Sequence, residues 1–143
     1  MLKKISIIAA CMMLVAVIVY SCKKEKIVIP DEPIKTIDGS WKIISALRNG
    51  TDLTNRFDFS KFRIVFSDSS YTITEPVPFI VSKNGNWSFD DANYPFRVYF
   101  RATGDTTTGS TLQYPVVKGV RNMIISFSPG CTSNIYQYTL EKE

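Results

Sequence analysis

Between residues 41 and 140 the apolar side chains recur at every second position in short runs, and Gly, Pro, Asn, Asp and Ser separate the runs. A period of two belongs to strands with one face on a core and the other toward water. No stretch keeps a helical period for long. About eight or nine short strands at this spacing predict an all-β fold, an antiparallel barrel or alternatively a β-sandwich.

The first run follows Gly39, whose missing Cβ lets the chain turn sharply into a strand. Alternation predicts Trp41, Ile43, Ser45 and Leu47 on one face and Lys42, Ile44, Ala46 and Arg48 on the other, with a stop at Asn49-Gly50. Residues 51–61, polar but carrying Leu53, Phe57 and Phe59, read as a short helix or a long loop. Residues 62–66 and 71–74 form a hairpin around Ser67-Asp68-Ser69-Ser70. Pro76 and Pro78 interrupt any ladder. A second hairpin is expected from residues 79–81 and 86–89, ahead of the turn chemistry of Asp90-Asp91. Residues 96–101 give the cleanest strand, with Phe96, Val98 and Phe100 against Arg97, Tyr99 and Arg101. The Thr- and Gly-rich residues 102–111 read as a mobile connection. Strands at 112–120, 123–127 and 134–140 complete the chain; Pro115 marks an edge or bulge, and Tyr136, Tyr138 and Leu140 share a face.

Ahead of the strands, Lys3 and Lys4 precede an apolar run from Ile5 to Tyr20, broken only by Ser6. That is the layout of a secretory signal, and the run is shorter than the roughly 20 residues that span a bilayer comfortably. Its end, Val19-Tyr20-Ser21-Cys22, resembles a bacterial lipobox, with Tyr20 bulkier than usual. The resemblance implies a signal peptide over residues 1–21 and a Cys22 carrying diacylglycerol and an acyl (palmitate-type) chain. Several chains anchor stably where one holds only marginally. Lys23 in the next position implies sorting to the outer membrane. A plain signal peptide cut elsewhere, or an uncleaved anchor, is the alternative.

Residues 22–36 then form a tether. Pro30 and Pro33 favour extended geometry, and Lys23, Lys24 and Lys26 either lie against anionic headgroups or are simply solvated. Of the net charge of +4, Lys3 and Lys4 supply +2 and this tether +1. Residues 37–143 carry 11 basic and 10 acidic side chains, no footprint for a phosphate backbone, so nucleic acid is excluded as a partner. Their length suits one domain with one core.

Histidine is absent altogether, which excludes Ser-His-Asp and Cys-His catalysis and removes the commonest zinc ligand. Asp90-Asp91-x-Asn93 fits calcium binding less well than a turn, and Glu75 with either aspartate is a weak glycosidase pair. No catalytic residue, metal or cofactor is therefore expected, and the chain is read as no enzyme. Cys131 has no partner once Cys11 is removed and Cys22 acylated, and reads as a loop residue. Arg97, Tyr99 and Arg101, with Tyr136 and Tyr138, are the candidate ligand-binding side chains; the alternative for the arginine row is the solvated outside of a strand.

Gly39-Ser40-Trp41 resembles the first-strand signature of the lipocalins. The central pattern Gly85-Asn86-Trp87, Asp90-Asp91 and Tyr94-Pro95 resembles small bacterial lipoproteins with lipocalin-like domains of unknown function. This implies a lipocalin-like barrel over residues 37–143 with Trp41 plugging one end, Arg121 covering it, and a long first loop over the mouth. It also implies a non-catalytic binding module in the outer membrane, facing periplasm or cell surface, with a small apolar or amphipathic ligand in the mouth. The alternative is a side-chain-filled barrel acting on a protein partner, as an inhibitor or an accessory subunit of an envelope complex.

Overall fold

In the computed structural model, which describes residues 34–143, the chain forms ten strands and, among the described residues, no helix. They are β1 (Gly39–Arg48), β2 (Thr51–Asp52), β3 (Arg63–Ser67), β4 (Ser70–Thr74), β5 (Gly85–Phe89), β6 (Arg97–Ala102), β7 (Thr107–Gln113), β8 (Val116–Val117), β9 (Val120–Phe127) and β10 (Tyr136–Lys142). The expected leader over residues 1–21, Cys22 and the tether up to residue 33 lie outside the described residues.

Eight strands run antiparallel to their neighbours in the order β1-β3-β4-β5-β6-β7-β9-β10, and β10 returns to pair with β1. The sheet is therefore a closed barrel, as the alternation predicts, rather than a sandwich. Closure leaves none of these eight strands as a bare edge. The two short strands are attachments: β2 pairs with β1, and β8 with β9.

Alternation fails once inside β1. Ile43 opposes Leu140 but Ser45 opposes Thr139, so Ile44 is an extra residue in a bulge. The bulge flips every later side chain. Trp41 and Ile43 face the core as expected, but Ala46 follows them inward in place of Ser45 and Leu47.

The core is aromatic. Trp41, Phe62, Phe66, Tyr71 and Phe100 are all at most 2 % exposed. Rings touch in a continuous path across it: Phe62–Phe79 at 5.1 Å, Phe79–Tyr138 at 5.3 Å, Tyr71–Phe100 and Phe66–Trp87 each at 5.5 Å. Tilted and edge contacts at these distances are the favoured aromatic geometry.

Residues 49–62 and 75–84 cross the end where β1 finishes and β5 begins, and they bury Phe59, Phe62 and Val81 there. No helix forms in the first of them. Asp52 and Asp58 each accept a bond from the backbone N–H two residues on, a local arrangement that competes with helix.

Three other expectations are corrected. Residues 79–81 are not a strand; β5 pairs instead with β4 and β6, because Asn86 opposes both Ser70 and Arg101. The expected connection at 102–111 contains most of β7, leaving a turn at 103–106, since β-branched threonines suit a pleated strand. The single strand at 112–120 is split: β7 ends at Gln113, and a small arm made by β8 turns back through Lys118-Gly119 into β9.

Candidate functional site

At the end where β1 starts, the chain ahead of the barrel packs across the opening. Ile37 is buried, the Trp41 indole N–H donates to the Ile37 carbonyl at 2.7 Å, and the Tyr114 hydroxyl donates to the Thr36 carbonyl at 3.1 Å. Gly39 enters β1 with φ +114, and a Cβ there would lie 2.8 Å from Lys142 Cε. The glycine thus leaves room for the stem of Lys142, which opposes Trp41 in the ladder and brings Nζ to 6.0 Å from the indole centre. This corrects the expected role of Arg121. Its guanidinium lies 4.7 Å over the Tyr114 ring and bonds the Tyr114 carbonyl, and Tyr114 in turn meets Trp41 at 5.9 Å.

Tyr136 and Tyr138 are divided from the other candidate ligand residues. Tyr138 is buried, stacked on Phe127 at 5.9 Å, and donates its hydroxyl to the Pro78 carbonyl. Tyr136 also stacks on Phe127, at 5.8 Å, and carries the Arg48 guanidinium at 5.6 Å. Burial pushes the Tyr138 phenol up to about 12, with the Tyr136 phenol adding to the effect. These tyrosines serve the packing of the covered end.

Arg97, Tyr99 and Arg101 point away from the core, since Val98, Phe100 and Ala102 take the inward positions of β6. Tyr99 and Arg101 come together with Asn86, Ser88 and Thr107 around a groove of about 290 Å³ on the outer wall. Arg97 is not part of that lining. The Tyr99 ring lies against Gly109 so closely that a Cβ there would meet it at 3.0 Å. Arg101 is oriented by a bond from Nε to the Thr107 hydroxyl at 3.0 Å. An exposed arginine beside a phenol, an amide and two hydroxyls suits a hydroxyl-rich or anionic group.

A second groove, of about 330 Å³, lies at the Trp41 end between Lys35, Asn93, Tyr94, Pro95, Phe96, Tyr114 and Arg121. Phe96, expected to face the core with Val98 and Phe100, is 74 % exposed, because β6 begins one residue later. Asp90 explains the shift. Its Oδ1 accepts from the N–H groups of Phe96 and Arg97, both at 3.0 Å, and Asp91 Oδ1 accepts from those of Asn93 and Tyr94. These bonds, that from Arg97 first, hold the Asp90 carboxyl below its ordinary range. The Asp90-Asp91 pair therefore builds a turn. Among the described residues no group of three or more acidic, Cys or His side chains could hold a metal.

Cys131 is exposed in the β9–β10 connection, and its Sγ lies 3.0 Å from the Ser133 hydroxyl, which lowers the thiol pKa. Cys22 is outside the described residues.

Residues 20–141 match DUF5004, a domain of unknown function. The chain belongs to this family. No curated protein and no solved structure matches it. Within the DUF5004 barrel, sequence alternation placed Tyr99 and Arg101 outward correctly but gave no sign of Asn86, Ser88 and Thr107, which only strand pairing brings beside them. The second groove was equally hidden. Its one legible signal was the Asp-Asp-x-Asn turn that delivers Tyr94 and Phe96.

Proposed function

We propose that this chain is a lipid-anchored, non-catalytic binding module of the bacterial outer membrane, and that it binds a protein partner of the envelope through the outside of a side-chain-filled barrel. One observation carries the choice of the outside. An apolar ligand in the mouth would have to displace Phe59, Phe62 and Val81, all under 9 % exposed, together with the Phe79 ring wedged between Phe62 and Tyr138. Displacing packed aromatics from a core costs several kcal/mol per ring, about 3–5 for a complete loss. The lipocalin-like resemblance is compatible with this, because small barrels are commonly filled by their own side chains.

The anchor is supported by the lipobox-like end at Cys22 and by the short apolar run before it. The groove of Tyr99, Arg101, Asn86, Ser88 and Thr107 is the favoured contact surface, suited to an acidic or hydroxyl-rich feature of the partner.

Native mass spectrometry of the protein extracted from bacterial membranes tests both parts. The expected mass is that of a chain starting at Cys22 with acyl groups attached and no small molecule bound. An unmodified N-terminus would overturn the anchor, and a stoichiometric apolar ligand would overturn the filled barrel.

A further inference from the structure

We infer that the outer-wall groove is a sugar-binding site that holds one neutral pyranose ring. The inference rests on the reading above of the outer wall as the contact surface, and it names what is contacted there, the hydroxyls of a glycan carried by the partner. Strand pairing builds the site. Asn86 opposes Arg101, which opposes Thr107, and Ser88 opposes Tyr99, which opposes Gly109. These outward positions make two rows about 7 Å apart along the strands and about 10 Å long across them. The second row is low at both ends, since Ser88 is small and Gly109 has no side chain. The Tyr99 ring occupies the glycine's place, where a Cβ would meet it at 3.0 and 3.2 Å. Tyr99 is thus laid along the sheet, and among the described residues no other ring or cation stacks on it. Such a ring offers apolar area to the C–H groups of a sugar.

The side chains around the ring have hydrogen bonds left to make. Arg101 uses Nε on the Thr107 hydroxyl, and both its Nη groups are open. Asn86 gives one N–H to the Ser69 carbonyl at 3.3 Å, and its Oδ1 is open to accept. The hydroxyls of Ser88 and Tyr99 have no partner among the described residues. Each sugar hydroxyl both donates and accepts, so a mixed set of open donors and acceptors about an aromatic ring matches it.

Charge argues for a neutral occupant. Arg101 is the only cation in the lining, and one exposed cation holds an anion weakly in water. Asn86 Oδ1 would face that anion. Asp68 belongs to the turn whose Ser69 carbonyl takes bonds from Asn86 and from the Trp87 N–H, so a carboxylate stands in the neighbouring loop. A neutral ring meets neither repulsion. The volume sets the size: about 290 Å³ falls just short of the roughly 300–1,000 Å³ of pockets for drug-sized ligands, which is room for one ring. An open site this small holds a free sugar weakly, in keeping with a glycan fixed to a partner.

The test titrates the full chain, purified from membranes in a detergent without a sugar headgroup, with the methyl glycosides of glucose, galactose, mannose and N-acetylglucosamine. Acetate and inorganic phosphate are the anion arms, and backbone amide shifts are read by nuclear magnetic resonance. At least one glycoside is expected to shift the amides of Ser88, Tyr99, Arg101 and Thr107 saturably, while both anions shift them little. Tyr99→Ala and Arg101→Ala should each weaken that binding about tenfold with the core amides unmoved. Arg97→Ala, on the same outward face but outside the lining, should leave it as it is. No saturable shift at these amides with any of the glycosides overturns the sugar site. So does equal binding of the anions, which reduces it to charge, or binding that survives both Tyr99→Ala and Arg101→Ala. Photocrosslinking from position 88 separates the two readings. A protein partner captured without any sugar binding keeps the contact surface and removes the sugar; sugar binding with no partner captured does the reverse.

Discussion

The indole N–H of Trp41 donates to the carbonyl of Ile37 four residues earlier, at 2.7 Å and with both residues buried. The bond ties the approach segment to the largest side chain of the strand it leads into. Trp41→Phe keeps most of the apolar burial but strands the Ile37 carbonyl, a loss of about 1–3 kcal/mol. Trp41→Ala empties the end of the core and is expected to cost about 3–5 kcal/mol. Urea denaturation, read as a shift in midpoint at constant slope, measures both.

Gly85 is held more tightly than Gly39. A Cβ on Gly85 would lie 2.1 Å from the Arg101 carbonyl oxygen and 2.8 Å from Ala102 Cα, all backbone of the paired strand β6. At Gly39 the obstacle is the end of the flexible Lys142 side chain, and the difficulty is the positive φ. Gly39→Ala should therefore cost about 1–3 kcal/mol, and Gly85→Ala more, because β5 must separate from β6. Thermal unfolding of the two variants side by side checks the order.

Tyr71 and Tyr138 give the barrel an alkaline limit. Burial raises both phenols from 10.0 to about 12, with Asp105 adding to the effect at Tyr71. A folded pKa above the unfolded one means that the stabilisation is complete below about pH 10 and is lost as pH rises through 12. Tyrosinate absorbance should show a late group ionising together with loss of near-ultraviolet circular dichroism. Tyr138→Phe, which surrenders the bond to the Pro78 carbonyl, should leave Tyr71 as the principal late titration.

Arg101 should be dispensable to the fold. It is exposed, and among the described residues its guanidinium bonds the Thr107 hydroxyl alone, so Arg101→Ala is expected to change stability by no more than about 0.5 kcal/mol. Gly109→Val should instead push the Tyr99 ring out of the groove. If the outer wall is the contact surface, both variants fold and both weaken crosslinking of a photoreactive residue at position 88 to its envelope partner.

What could be read from the sequence followed from what is local. The period of two gave the barrel strands, and the inward set Tyr138 and Leu140 followed from it directly. The bulge at Ile44 was not legible, because an inserted residue in one strand is defined only against Leu140 and Thr139 in another. Strand β7 was hidden for a related reason: Thr107, Thr108 and Gly109 resemble a loop until β6 supplies their partners. The cation over Trp41 was misassigned to Arg121 since chain order does not fix register, and register puts Lys142 there.

Asp90 sets an acid limit on the 90–97 loop. Its carboxylate gathers the N–H groups of Asp91, Phe96 and Arg97 at 3.0 Å each, which depresses its pKa below 3.8. A folded pKa below the unfolded one means that the stabilisation is present above 3.8 and is lost as pH falls through the lower folded value. The amides of Phe96 and Arg97 should thus lose protection in that acid range before the barrel opens, as measured by nuclear magnetic resonance hydrogen exchange. Asp90→Asn retains an oxygen that accepts and should flatten this pH dependence, while Asp90→Ala should release the loop at neutral pH. An acid step that persists unchanged in Asp90→Asn would rule out Asp90 as its source.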